Sequence, residues 1–357
     1  MLSLREQVPL APLTTLSVGG RARFFVEAQT PDDVREAVAY STAHTLPVFV
    51  LGGGSNLVIA DAGWPGLVLQ LKISGISQRA EGSRVIFEVG AGEGWDSFVA
   101  ATVAANCAGV ECLSGIPGTV GGTPVQNVGA YGQEVADTIV VVTAFDRVSG
   151  EVRIFSNADC GFAYRTSIFN TSHRDRFIVL QVAYALERGA PPKTEYADLK
   201  RFFADNPSPS LQALRDAVRQ IRQGKGMLLV EGDPDVRSAG SFFKNPIVDT
   251  QRFVELDAEM QSRGLQLPNY PADDGQRKLS AAWLVEKAGF HKGYVHGNVG
   301  ISSKHTLAIV NRGAARASEV VSFMNVIRET VFSRFAIDLH PEPVFLGFEQ
   351  TPVLAMR

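Results

Sequence analysis

The sequence predicts a chain of mixed strands and helices in roughly two or three domains. Three observations predict it. The 357 residues are 45% hydrophobic, enough for sizeable cores. Short alternating or β-branched runs are interleaved with amphipathic segments of helical period. Its two glycine-rich stretches, LGGGSN at 51–56 and ECLSGIPGTVGGTPVQNVGAYG at 111–132, are not placed as a nucleotide-binding α/β fold would place them. In the first, Gly52-Gly53-Gly54 runs into Leu57-Val58-Ile59, so the turn joins strand to strand, whereas a dinucleotide fold sends its glycines directly into a helix.

Residues 14–60 read as a strand–helix–strand unit. Ala22 to Ala28 alternates, Thr30-Pro31-Asp32-Asp33 starts a helix to His44, and Leu46 to Leu51 is a buried strand. From Gly66 to Val89 the runs LVLQLKI and RVIFEVG are strands. Gly94 to Ala108 is an alanine-rich helix with Trp95, Phe98, Val99 and Val103 on one face, and it delivers the chain into the second glycine stretch.

That stretch, Glu111 to Gly132, carries six glycines, two prolines and one charged side chain, Glu111. It is too apolar for disorder and too long for a passive connection. Glycines let main-chain N–H groups approach a ligand, as in phosphate cradles. No G-K-[ST] follows, which excludes a Walker loop, and the spacing is not G-x-G-x-x-G.

Strands at Thr138–Asp146, Val152–Phe155 and Phe177–Leu186 frame a polar turn, Phe162 to Ser167, which carries Arg165. Residues 187–207 are loop-rich and include Tyr196. Ser210 to Gln223 is an amphipathic helix whose core stripe is Leu214, Val218 and Ile221. Arg215, Arg219 and Arg222 flank that stripe and Lys225 follows; these cations suit either a solvated face or a nucleotide diphosphate.

Glu231 to Arg237 reads as a polar linker and domain boundary. Beyond it Ser241 precedes Phe242, Phe243, Lys244 and Asn245. Residues 278–290 are a helix, 293–312 loop and strand, and 318–335 a helix with Val320, Met324, Ile327, Val331 and Phe335 inward. In the extended piece 337–347, Pro341 and Pro343 flank Glu342 and hold it rigidly.

A net charge of −3 gives no general field for nucleic acid. Cys107, Cys112 and Cys160 lack metal spacing and read as free thiols of a reducing, cytoplasmic compartment. His291, His296 and His305 form no metal set, and no metal is expected. No signal peptide or run of 18 apolar residues occurs, so neither export nor a membrane partner is expected.

LGGGSN at 51–56, SGIPGTVGGTPVQNVGAYG at 114–132, YRTS at 164–167, GSFFKNP at 240–246 and HPEP at 340–343, in that order, resemble the UDP-N-acetylenolpyruvoylglucosamine reductase family. The likeness spans nearly the whole chain, and Tyr196 with its surroundings resembles the subclass that closes a tyrosine-bearing loop over its substrate. It implies an α+β fold in three domains: residues 1–75 plus 340–357 and residues 76–229 as the two halves of a vanillyl-alcohol-oxidase-type FAD module, and 230–339 as an α/β substrate domain. It implies that FAD is held without a covalent bond by Gly52, Gly53, Gly54, Ser55 and Asn56. Ser114, Gly115, Ile116, Pro117, Gly118, Gly121, Gly122, Gln126, Asn127, Gly129, Ala130, Tyr131 and Gly132 would complete that cradle.

By the same resemblance Arg165, Ser241 and Glu342 are catalytic, with Ser241 the proton donor. Tyr196, Arg222, Lys225, Asn245 and Lys278 would bind substrate. NADPH would supply the hydride, a UDP-sugar enolpyruvyl ether would receive it, and the chain would be a monomer or weak oligomer. Two positions depart from the pattern: Thr166 and His340 stand where acidic residues occur. The readings that compete are an FAD-dependent oxidase or dehydrogenase of a hydroxy acid or alcohol, and a non-catalytic nucleotide-binding or redox-sensing protein that would not need Arg165, Ser241 and Glu342.

Overall fold

A computed structural model describes residues 2–350 and 352–355. Met1, at the start of the expected first part, and residues 351, 356 and 357, within the expected 340–357 part, lie outside the described residues. The chain forms two compact units. The first is Met1–Val8, Ala22–Gly54 and Pro65–Leu229; the second is Pro9–Arg21, Ser55–Trp64 and Val230–Arg357. Strands and helices are both present in each, and the fold is α+β.

The first unit holds two larger sheets and a two-stranded one, Gly129–Ala130 with Gln133–Glu134. One has the order Arg5–Pro9, Arg21–Ala28, Trp64–Leu71, Val48–Leu51, with the last two parallel. Helix α1 (Pro31–Ala43) begins as expected: Thr30 Oγ1 accepts from Asp33 N–H at 3.1 Å and Asp33 Oδ2 accepts from Thr30 N–H at 2.8 Å, a reciprocal cap. The other sheet is antiparallel, in the order Val152–Ser156, Ile139–Asp146, Phe177–Arg188, Arg84–Gly90, Ile76–Glu81.

Helix α2 (Trp95–Ala104) buries Trp95, Phe98, Val99, Thr102 and Val103, an i, i+3, i+4, i+7, i+8 stripe. Phe98 packs against Tyr184 of the long central strand at 4.9 Å between ring centres, and against Phe87 at 5.9 Å. The helix expected over Gly94–Ala108 is thus shorter. Asn106 takes φ 54°, and Cys107–Ala108 leaves the helix to pair with Glu187–Arg188. Helix α3 (Ala197–Phe202) arises inside the segment expected to be loop-rich, and α4 (Leu211–Gly224) forms as expected.

The second unit contains helices α5 (Thr250–Ser262), α6 (Ala281–Lys287) and α7 (Ala317–Phe335). It has two small antiparallel sheets and one parallel pair, Leu57–Ile59 with Val344–Leu346. Its core joins Val320, Phe323, Met324, Ile327 and Val331 of α7 to Leu16, Val18, Val58, Phe242 and Phe243. The segment Glu231–Arg237 follows the division between the units at Leu229 and exposes Glu231, Gly232, Pro234 and Arg237, but it is anchored at two points. Asp235 is buried, accepting hydrogen bonds from Ser302 Oγ (2.9 Å), Ser303 N–H (2.9 Å) and Ser303 Oγ (2.7 Å), and Asp233 pairs with Lys304. Serine hydroxyls distant in sequence make that burial possible, which composition alone does not reveal.

Candidate active site

In the first unit the two glycine stretches lie backbone to backbone. A Cβ on Gly53 would stand 2.5 Å from the α-carbon of Gly118, so no side chain fits between them. The second stretch hangs on the residues that lead into α2: Val120 N–H donates to Glu93 O and Gly121 N–H to Ala91 O, both at 2.9 Å. Trp95 Nε1 donates to Leu113 O at 2.9 Å, and Gly115 N–H to Asp96 Oδ1 at 2.6 Å. Gly122 differs. A Cβ there would meet nothing within 4 Å and its φ lies outside the left-handed region, so neither packing nor conformation demands glycine. The open, uncharged backbone at Gly122, next to the Gly53–Gly118 contact, fits the close approach of a dinucleotide pyrophosphate.

The later half of the loop is tied to the Arg165 turn. Ser167 Oγ donates to Val125 O at 2.6 Å, Asn127 Nδ2 to Ala163 O at 3.1 Å, and Arg165 Nη2 to Gly129 O at 2.7 Å. Arg165 itself takes φ 55°, an uncommon conformation for a residue with a side chain, and its guanidinium stands over the Tyr164 ring at 5.3 Å. The structure therefore brings Arg165 to Asn127 and Gly129 of the second glycine stretch.

Tyr196 precedes α3, and its ring meets that of Tyr131 edge-on at 5.4 Å between centres. Lys225 Nζ pairs with Asp198 Oδ2 at 2.6 Å and lies 5.7 Å from the Tyr131 ring centre. Arg222 is buried, which pushes its pKa down; its Nη2 donates to Met227 O at 2.7 Å, while its Nε has no hydrogen-bond partner among the described residues. The solvated-face reading of this helix fails for Arg215 and Arg222, both buried. Arg215 Nη1 and Nη2 donate to Asp96 Oδ1 and Oδ2 at 2.6 and 3.0 Å, and Arg219 also pairs with Asp96.

The second unit sets Ser241 beside Glu342. Phe242 and Phe243 are buried anchors; Glu342 N–H donates to Phe242 O at 2.9 Å, Lys244 N–H donates to His340 O at 2.9 Å, and Phe243 bridges Pro341. Asn56 completes the frame, with Nδ2 donating to Glu342 O at 3.2 Å and its own carbonyl accepting from Val344 N–H at 2.9 Å. Thr15 Oγ1 donates to both Ser55 O (3.3 Å) and Ser238 O (2.6 Å). Asn245 Oδ1 caps α6 by accepting Ala281 N–H at 3.0 Å. The adjoining strand pairs Ile247 with Lys278, which places Asn245 near Lys278. Both half-buried polar residues next to the aromatics, Ser241 and Glu342, are thus fixed by main-chain bonds.

Residues 233–346 match the UDP-N-acetylenolpyruvoylglucosamine reductase C-terminal domain model, and residues 22–156 the FAD binding domain model. The UDP-N-acetylenolpyruvoylglucosamine reductase of Thermobifida fusca is 46% identical over 97% of this chain and 98% of its own. This chain belongs to the UDP-N-acetylenolpyruvoylglucosamine reductase family. The relative of the same description from Nocardia farcinica is 45% identical over 97% of this chain and 90% of its own. The crystal structure of that reductase from Thermus caldophilus superposes with a TM-score of 0.63 at 26% identity, covering 97% and 99% of the two chains. As a member of this family the chain is an oxidoreductase that uses FAD and NADPH on a UDP-sugar substrate, and the competing oxidase reading is not supported.

Sequence reasoning missed Asp96 and the environment of Glu111. Asp96 is an ordinary first-turn helix acid by sequence, and nothing local marks it as the acceptor for Gly115 and two arginines of α4. Glu111 did stand out as the one charged side chain of its stretch. Cys112, the one cysteine of the second glycine stretch, is buried with its pKa pushed up by that burial, and its Sγ donates to Lys193 O at 3.3 Å.

Proposed function

We propose that Arg165, Ser241 and Glu342 carry the reduction of the enolpyruvyl ether, and that Tyr196, Arg222, Lys225, Asn245 and Lys278 hold the UDP-sugar. The observation that supports the catalytic set most strongly is the main-chain frame that fixes Ser241 and Glu342 through Phe242. FAD, when bound and reduced by NADPH, would supply the hydride for the enolpyruvyl β-carbon. As it arrives, negative charge develops at the α-carbon and spreads into the substrate carboxylate. Arg165 offers that charge a guanidinium and Glu342 a hydrogen-bonding carboxyl, while Ser241 Oγ donates its proton to the α-carbon and recovers one from solvent. The buried, incompletely partnered guanidinium of Arg222 and the nearby Lys225 suit a diphosphate, because both cations lie beside Tyr131 of the cofactor loop.

The cofactor loops are proposed to hold FAD non-covalently through main chain from Gly52 to Gly54 and from Ser114 to Gly132, with Ser55 and Asn56 adding contacts. This makes Gly122 a clean test. Gly122→Val adds a side chain where the chain itself leaves room, so the melting temperature of the apoprotein is expected to stay within about 2 °C, an effect under roughly 0.5 kcal/mol. FAD affinity, measured by recovery of flavin fluorescence on release, is expected to fall by about 10²-fold, the order of 3 kcal/mol for a displaced cofactor contact. Unchanged affinity would remove Gly122 from the cradle.

Lys225→Ala tests the diphosphate assignment. Removing a charge that contacts phosphate weakens binding by about 1.5 to 3 kcal/mol. Since Lys225 is part-exposed and paired with Asp198, the low end applies. KM for the UDP-sugar should rise about ten-fold while the rate of flavin reduction by NADPH holds; an unchanged KM returns Lys225 to an ion-pair role.

We further propose that residues 1–75 with 340–357 and residues 76–229 form two FAD-binding parts and 230–339 a substrate-binding part; the parallel pairing of Leu57–Ile59 with Val344–Leu346 supports the first grouping. A cytoplasmic setting, no nucleic-acid or membrane partner, and a monomeric or weakly associated state belong to the same reading. Three buried free cysteines support the reducing compartment and a net charge of −3 the lack of a nucleic-acid partner; among the described residues no helix is long and apolar enough to cross a membrane.

A further inference from the structure

The chain holds a carboxylate that the chemistry above does not use. Glu111 is 1% exposed and has no ion pair among the described residues. A buried charge without a counter-ion is costly unless hydrogen bonds compensate it, and here N–H donors do so. Oε2 accepts Gly109 N–H at 2.6 Å; Oε1 accepts Gln133 Nε2 at 2.8 Å and Lys193 N–H at 3.3 Å. Gln133 is itself oriented by Cys112 N–H, which donates to its Oε1 at 2.8 Å, and Cys112 Sγ donates to Lys193 O. The main chain of Lys193 is therefore gripped at both its N–H and its C=O by the start of the glycine stretch.

Lys193 lies three residues before Tyr196. Its Nζ donates to Gly132 O at 3.4 Å, at the far end of the same stretch, and Tyr196 and Asp198 then meet Tyr131 and Lys225. The segment 193–198 is pinned at both ends of the loop that cradles the cofactor. We propose that Glu111 is a positioning residue: it sets the tyrosine-bearing segment in the place where Tyr196 and Lys225 receive the UDP-sugar. This rests on the reading of those two residues as substrate contacts.

Only a carboxylate accepts on both of its oxygens. In Glu111→Gln one end becomes an NH2 group, which can satisfy Gly109 N–H or the Gln133 and Lys193 donors, but not both. Gly109 is the shortest contact and local in sequence, so the oxygen stays there and the amide meets Lys193 N–H donor to donor, releasing the segment.

The test measures amide hydrogen exchange in the FAD-loaded protein together with steady-state kinetics. Glu111→Gln is expected to speed exchange across residues 193–198 about ten-fold and to raise KM for the UDP-sugar by a similar roughly ten-fold factor. Exchange in the strand Ile139–Asp146 and the rate of flavin reduction by NADPH should not move. Unchanged exchange at 193–198 overturns the proposal, as does equal acceleration in 139–146, which would make Glu111 a general fold residue. Glu111→Asp, which keeps both acceptors, should restore part of the KM. Tyr196→Ala separates the two levels: if it leaves KM unaltered, the substrate role of the segment fails, while the exchange data still decide whether Glu111 anchors it.

Discussion

Ser241→Ala is expected to slow reduction of the enolpyruvyl substrate by about 10² to 10⁴, with FAD binding and flavin reduction by NADPH near normal. A serine hydroxyl is a weak acid and becomes a useful donor only when the atom it protonates has turned strongly basic. Hydride arrival at the β-carbon creates that condition at the α-carbon, so the hydroxyl has no role in the earlier half-reaction. The upper end of the range is favoured because the neighbouring side chains in sequence, Gly240 and Phe242, carry no proton to substitute. Fold effects should be small, since the segment is held by Phe242, Phe243 and main-chain bonds and not by the hydroxyl. Ser241→Cys should retain more activity than alanine, keeping a transferable proton in similar space. Stopped-flow measurement of each half-reaction decides: equal slowing of both, or a normal substrate step in the alanine variant, would sink the donor assignment.

The second large effect is expected at Asp96. Its carboxylate accepts Gly115 N–H and the guanidinium groups of Arg215 and Arg219, so Asp96→Ala strands a buried cation and an N–H of the second glycine stretch together. Breaking one partner of a buried pair costs about 3 to 5 kcal/mol, and the lower figure applies because the Asp96 side chain keeps 32% exposure. Both the melting temperature and FAD retention should drop. Asp96→Asn keeps an acceptor for Gly115 but not the charge, and should hold more FAD than alanine at comparable stability loss.

The pH dependence follows. Burial raises the Asp96 pKa, and the hydrogen bonds from Arg215 and Gly115 with the two guanidinium charges more than reverse this, leaving it below its ordinary value. A folded-state pKa depressed in this way means the contribution is complete above the unfolded value of about 4 and is lost as pH falls through the folded value. The wild type should therefore lose stability on acidification below about pH 4, and the Asp96→Asn variant less steeply. Equal acid slopes for both proteins would show that Asp96 is not ionised in the network.

Local signals in the sequence carried the elements whose stabilising contacts are themselves local. Helix α1 was legible because its cap, Thr30 with Asp33, is written within four residues. The stripe of α2 likewise announces its buried face, with Trp95, Phe98, Val99 and Val103 at helical spacing. What could not be read was set by partners far along the chain. Arg215 and Arg222 look solvated on a helical wheel, and only Asp96 and the glycine loop explain their burial. Asp235 looks like a linker acid until Ser302 and Ser303 surround it. Helix α5 was missed because only Leu256 and Met260 of its thirteen residues are buried, too few to impose a period. Glu342 between Pro341 and Pro343 is held by prolines adjacent to it in sequence, whereas the close approach of Gly53 to Gly118 joins residues far apart along the chain and shows only in the fold.

The parallel pairing of Leu57–Ile59 with Val344–Leu346 joins segments separated by most of the chain. Val58 and Leu16, made early in synthesis, enter a core whose helix α7 is made late. During translation the second unit therefore cannot complete itself while the residues between are emerging, and its early segments must wait with apolar side chains unpaired. Such long-range closure is intrinsically slow, since loop entropy is spent before the contacts reward it. A fragment beginning at Val230 would lack Leu16, Val18 and Val58 from its interior, so cutting the gene at that border does not isolate a unit able to fold with its full core.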